Sequence, residues 1–270
     1  MEGVELGDRA LARGVRLEIY DEIDSTNDEA KRRGEGGDAG PLWIVAARQT
    51  KGRGRLGRSW SSLDGNLHAS LLLSGFGPPA LAPQLGFVAG LATIAALFEA
   101  TGAADRLALK WPNDVLLDGE KLAGVLLEGV QPAVSAPGAS FGCVIGIGVN
   151  CVAAPRDLPA PASDLSRLGC VPSAGALFAL LSDKMEETLA LWAGGSGFSV
   201  LRERWLGHAA GLGGEIEARL PRETISGIFE TIDGDGRLII STRSGRRAIE
   251  AGDIFLPALA AARPEPEQGR

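Results

Sequence analysis

The sequence predicts a large domain that combines helices with strands, followed by a small all-β module. Three observations carry this. Asp118-Gly119 stands between two apolar runs, a strong hairpin signal. Residues 141–149 are apolar with three glycines and end at Asn150, the pattern of a strand central to a sheet. From Leu212 the texture changes to short strands punctuated by turns, with Asp-Gly-Asp-Gly at 233–236. At 270 residues, 45% hydrophobic and 23% charged, the chain can bury a full core in one large domain plus a small one.

In order, residues 15–20 read as a first strand, and Asp24-Ser25-Thr26-Asn27-Asp28-Glu29 supplies a cap and acids for a helix ending near Gly34. Residues 42–47 and 67–73 read as strands around a basic loop. Pro83, the series Leu85, Val88, Leu91, Ala95 and Phe98, and then Gly102 describe an amphipathic helix that serves as scaffold. Residues 107–128 form the hairpin with its approach, and residues 131–140 are a loose segment. Residues 152–164, rich in Pro and Ala, read as a long loop of the kind that often forms a lid. Ser173 caps a helix to about Trp192, and Ser199 opens another with Leu201, Trp205 and Ala209. The small module needs the larger domain to pack on, and beyond Pro257 the composition predicts a frayed tail.

Composition excludes several function classes. The net charge of −7 argues against a general nucleic-acid binder, which needs a broad basic surface, and the segment before Val15 is too short for a helix-turn-helix. The apolar run 85–98 is too short to cross a bilayer, and no secretory leader opens the chain, so a cytoplasmic location is expected. Cys143, Cys151 and Cys170 lack paired metal spacing and read as buried free thiols. With only His68 and His208, far apart in sequence, the chemistry must rest on Lys, Arg, Asp, Asn or backbone groups.

Two stretches concentrate such groups. Residues 48–60 hold five cationic side chains and three glycines, against the acidic trend of the chain. This suits an anion-binding loop, or a solvated turn between strands. Gly52-x-Gly54-x-x-Gly57 matches a dinucleotide fingerprint literally, but a turn and a strand follow it where a helix is required. The second stretch gathers Lys110, Asn113, Asp114 and Lys121 around the hairpin. They fit either a site for phosphate and a divalent cation or solvated hairpin charges. Ser25, Thr26 and Asn27 fit simple helix capping, or hydrogen bonding to a carbonyl or anion.

Four motifs in order then make the chain resemble the biotin protein ligases. They are Ser25-Thr26-Asn27; Gly52-Arg53-Gly54-Arg55-Leu56-Gly57-Arg58-Ser59-Trp60; Lys110-Trp111-Pro112-Asn113-Asp114 with Lys121-Leu122-Ala123-Gly124; and Gly146-Ile147-Gly148-Val149-Asn150. The resemblance implies an α+β fold: a class II synthetase-like catalytic domain, with a mixed, mainly antiparallel sheet and helices on one side, and an SH3-like C-terminal barrel. It divides the chain into residues 1–211, 212–257 and a tail at 258–270. It also implies ATP and Mg²⁺ as cofactors and biotin as substrate. The expected partner is the biotin carboxyl carrier domain of acetyl-CoA carboxylase or a related carboxylase, with no DNA or membrane partner. A homodimer is allowed by the sheet edge that relatives expose.

By the same resemblance, Ser25, Thr26, Asn27 and Gln49 bind the ureido end of biotin. Gly52, Arg53, Gly54 and Arg55 cover biotin and the biotinyl-5′-adenylate intermediate, and Gly124 lines the biotin site. Lys121 and Arg58 are the catalytic cations, Lys121 placed near the reacting carboxylate. Arg55, Arg58, Trp60, Lys110, Asn113, Asp114 and Asn150 face the nucleotide, and Asp114 is the Mg²⁺ ligand. The loop is expected to order when ligand neutralises it. Two departures stand out: Leu56 replaces a basic residue of some relatives, and the chain begins almost at the catalytic domain where many bacterial relatives carry a DNA-binding one. The alternatives are a lipoate or octanoate ligase or transferase and a non-catalytic biotin-sensing module.

Overall fold

The structure is a computed structural model that describes residues 3–131, 141–155, 161–169 and 171–258. Cys170, most of the loose segment, residues 156–160 of the proline-rich loop and nearly all of the tail lie outside the described residues. The helices are α1 (Asp8–Ala12), α2 (Thr26–Glu35), α3 (Gln84–Thr101), α4 (Ala174–Trp192) and α5 (Phe198–Gly207). The strands of the first sheet are β1 (Arg16–Ile23), β2 (Leu42–Gln49), β3 (Leu67–Ser74), β4 (Leu107–Lys110), β5 (Asp114–Leu117), β6 (Glu120–Val130) and β7 (Gly142–Val149). Those of the second are β8 (Glu215–Arg219), β9 (Thr224–Ile232), β10 (Leu238–Thr242), β11 (Gly245–Ile249) and β12 (Asp253–Phe255).

The first sheet has the order β1-β2-β3-β7-β6-β5-β4. β1 and β2 run parallel and every other neighbouring pair is antiparallel, so the sheet is mixed and mainly antiparallel as expected. Asp118 and Gly119 take φ of 51° and 78°, the left-handed pair that a tight hairpin turn needs. β7 lies between β3 and β6, buried on both faces, which accounts for its unbroken apolar reading. The second sheet is antiparallel throughout, ordered β11-β10-β9-β8-β12.

Side-chain alternation divides the first sheet into two working faces. Trp43, Val45, Leu67, Ala69, Leu71, Ile145 and Ile147 point into the main core with α3 and α4, where Trp43 meets Phe178 edge-on at 5.4 Å. Leu42, Ile44, Leu72, Val130 and Val144 point the other way and pack on Ala30 of α2. Helices therefore cover both faces, not one, because α2 closes a second, smaller core. On that second face the alternation also places His68 and Ser70 of β3 and Gly146 and Gly148 of β7, and it is there that the site forms.

Other expectations need adjusting. α3 is buried on nearly every side, enclosed by the sheet, α4 and α5, so it is a core helix more than an amphipathic one. Residues 79–101 are long and apolar enough to cross a membrane by composition, yet they are mostly buried inside the protein. α5 starts at Phe198, one residue before the expected Ser199. α1 went unpredicted because its caps come from far along the chain: Ser182 Oγ accepts from Gly7 N–H at 2.8 Å and Asp183 Oδ1 from Ala10 N–H at 3.0 Å. Cys143 and Cys151 are free and buried, and burial pushes both thiols up to about 12.

Candidate active site

A cavity of about 860 Å³ opens on the α2 face of the first sheet, closed on one side by the second sheet through Arg219 and residues 252–256. Every site residue expected from the sequence lines it except Gly52. Gly52 instead packs behind the wall, where a Cβ would fall 2.8 Å from the Trp60 carbonyl oxygen and 3.1 Å from Gln49 Nε2.

The polar end is built on the start of α2. Ser25 caps the helix, its Oγ accepting from Asp28 N–H at 3.3 Å. Thr26 and Asn27 are buried in the first turn. Gln49, at the end of β2, accepts from the Thr26 N–H at 2.9 Å and hydroxyl at 3.0 Å. Ser70 Oγ lies 2.8 Å from Thr26 Oγ1 and donates to Asn27 Oδ1 at 2.6 Å. A Cβ at Gly146 would overlap the Asn27 side chain, so glycine is required where the helix meets β7. Capping and ligand recognition are thus compatible, because all three residues line the cavity and only the Ser25 hydroxyl is engaged in the cap.

The cationic end is built on the hairpin. Lys121 leaves the turn into β6, with Nζ 2.6 Å from Asp114 Oδ1 and 5.6 Å from the centroid of the Trp60 ring. Trp60 lies across Gly148 and Gly124, where Cβ atoms would crowd the indole. Lys110 sits across the strand pair from Asp114, and burial lowers its amine below the usual lysine range. Asn113 donates to Val125 O at 2.7 Å and accepts from Arg55 Nη1 at 3.1 Å; burial lowers Arg55 as well. Asn150 donates to Ser163 O at 3.1 Å, while Ser163 N–H donates to Lys121 O at 2.8 Å, so Pro161 and Ala162 of the proline-rich loop line the cavity beside Lys121.

The basic loop is held by protein carboxylates. Arg53 grips Asp28 through two contacts of 2.6 and 2.5 Å, and Arg58 donates to Asp253 Oδ1 of the second sheet at 2.8 Å. Protein carboxylates therefore already do part of the neutralising that the sequence reading left to ligand. No group of three or more His, Cys, Asp or Glu gathers among the described residues as a preformed metal site. Asp114 is a single carboxylate beside Lys121, which fits a Mg²⁺ whose other ligands are nucleotide phosphates and water.

His68, Ser70, Glu128, Arg219 and Asp253 were missed by the sequence reading. For the first two a signal existed, since they are the alternate polar positions of an otherwise apolar strand. His68 is 1% exposed, and its Nδ1 accepts from Trp60 Nε1 at 3.3 Å. Burial pushes the imidazole from 6.5 down to about 4, so the fold holds it neutral. A depressed histidine contributes stability above the ordinary value that is lost as pH falls from about 6.5 to about 4. Between about pH 7 and about pH 4, the stability advantage of the wild type over His68→Gln should shrink by roughly 3 kcal/mol in urea titrations. A difference that stays constant with pH would refute the neutral assignment.

Comparison with known proteins supplies the family. The model of the biotin/lipoate A/B protein ligase family matches residues 20–150, and that of the biotin protein ligase C-terminal domain matches residues 211–256. A biotin–[acetyl-CoA-carboxylase] ligase of Paracoccus denitrificans is 41% identical over 86% of this chain and 97% of its own length. The chain belongs to the biotin protein ligase family. A ligase of the same designation from Mycobacterium tuberculosis is 31% identical over 88% of each chain. The structure of the biotin protein ligase of Aquifex aeolicus in complex with biotin and ATP is similar at TM-score 0.74 and 29% identity, covering 89% of this chain and 97% of that one. Biotin protein ligase relatives thus extend through both sheets.

Proposed function

We propose that this protein is an ATP-dependent biotin protein ligase that forms biotinyl-5′-AMP and transfers biotin to a lysine of a carboxylase's biotin carboxyl carrier domain. The supporting observation is one cavity that joins a polar end of fixed hydrogen-bonding groups to a cationic end around Lys121. In our division of the chain, residues 1–211 are catalytic, 212–257 form a C-terminal domain that closes the cavity, and 258–270 are a tail.

In the first half-reaction a biotin carboxylate oxygen attacks the α-phosphorus and pyrophosphate leaves. Two anions must approach, and negative charge spreads over the phosphoryl oxygens, so cations fixed beforehand lower the barrier. Lys121 is assigned to the carboxylate and α-phosphate, with Lys110, Arg55 and Arg58 along the nucleotide. Asp114 is assigned to Mg²⁺, which supplies further charge neutralisation of the phosphates when bound. In the second half-reaction the carrier lysine amine attacks the acyl carbon of the mixed anhydride and AMP leaves. The basic loop covers the anhydride and keeps water from it.

The polar end favours biotin over lipoate. A dithiolane offers no N–H donor, and would leave the second lone pair of Asn27 Oδ1 without a partner when buried. Incubation with ATP, Mg²⁺, a carrier domain and either biotin or lipoate, followed by mass spectrometry, should show a biotinylated carrier lysine. Modification by lipoate but not by biotin would overturn the assignment, and turnover with biotin excludes a purely sensing module.

A further inference from the structure

Two amides at the polar end have orientations forced by partners that allow no choice. The Gln49 atom 2.9 Å from the Thr26 backbone nitrogen must be the carbonyl oxygen, because a backbone N–H only donates. The Asn27 atom 2.8 Å from Glu128 Oε2 must be the NH₂, because a carboxylate flanked by Arg53 and Lys31 only accepts. Asn27 therefore turns Oδ1 into the cavity wall over Gly146, with one lone pair taken by Ser70 and the other available. Gln49 correspondingly turns Nε2 toward Ser62 Oγ at 3.5 Å and toward Gly52, neither of which lines the cavity.

A committed acceptor in the wall is complementary to a ring N–H of a cyclic urea. We infer that Glu128 is a positioning residue for substrate specificity: by holding Asn27 Nδ2 it commits Asn27 Oδ1 to accept a ring N–H of the bound urea. The inference rests on the biotin reading above. Glu128 is not primarily an anchor for the basic loop. Arg53 lies 3.4 Å from each Glu128 oxygen and makes its two close contacts with Asp28, and Lys31 is also 3.4 Å away. The shortest bond Glu128 makes is to Asn27. Without it the Asn27 amide is free to turn over, presenting NH₂ to the ligand N–H, and a buried donor then faces a donor.

The test is calorimetric binding of biotin and its two cyclic-carbamate analogues, each with one ring N–H replaced by oxygen, to the full chain and its variants. Wild type should lose about 10- to 100-fold in affinity for the carbamate lacking the N–H that faces Asn27. In Glu128→Leu that loss should shrink to about twofold, the scatter expected of uncoupled groups. Arg53→Met removes the basic-loop contact to Glu128 and leaves the Asn27 bond, so it should retain the wild-type selectivity even where it lowers affinity for all three ligands. Urea midpoints establish which variants fold, and Glu128→Ala serves if leucine does not.

Wild-type selectivity persisting in the leucine or alanine variant would overturn the inference. Selectivity lost equally in Arg53→Met would do the same, assigning the effect to the Arg53 contact. Wild type that binds biotin and both carbamates alike removes the inference while leaving the ligase reading intact. Wild type that binds no biotin removes both.

Discussion

Lys121→Ala should lower biotin-dependent pyrophosphate release by about two to three orders of magnitude, the loss typical of removing one preorganised charge-stabilising group. Lys121 is the cation that lies between Asp114, the Trp60 face and residues 161–163, at the junction of the two ends of the cavity. The loss should fall on kcat, because the negative charge it meets develops most strongly in the transition state. The fold should survive, since the side chain is 35% exposed at the mouth of the hairpin and its ion pair with Asp114 is open to solvent screening. A variant with near wild-type pyrophosphate release would end the catalytic assignment. Loss of the cooperative urea transition would instead mark a structural role.

Gly148→Ala should weaken biotin binding by about 10- to 100-fold, corresponding to the 1–3 kcal/mol usual for overpacking. The new Cβ would fall 2.5 Å from ring atoms of Trp60. Gly148 is paired with His68 on one side and Gly124 on the other, so its backbone cannot yield. The indole must move, which breaks its bond to His68 and removes the aromatic face beside Lys121. Calorimetry with biotin reads the effect directly. Unchanged affinity would mean that Trp60, expected to face the nucleotide, does not also wall the biotin site.

Much of this protein was legible where the physics is local. The Ser25 cap, the Asp118-Gly119 turn and the left-handed Gly102 that ends α3 depend on dihedrals and hydrogen bonds within a few residues. The four motifs named the family, and all but Gly52 of the residues they nominated line one cavity. α1 was illegible because residues some 170 positions away cap it, and the burial of α3 on nearly every side depends on α4 and α5, which follow it in sequence.

By itself, the sequence determined the elements other than α1, the character of the strands and the chemistry of the candidate residues, since propensity, alternation and turn residues are properties of short segments. Only the tertiary structure decided which face of the sheet the site occupies, and that α2 closes that face with a second core. It also joined Arg58 to Asp253 across 195 positions and Asn27 to Glu128 across 101. Such pairs report a meeting of distant surfaces. A charge or amide in the sequence has no mark of the partner it will meet, because the distance between them is set by strand order and helix packing and not by spacing along the chain.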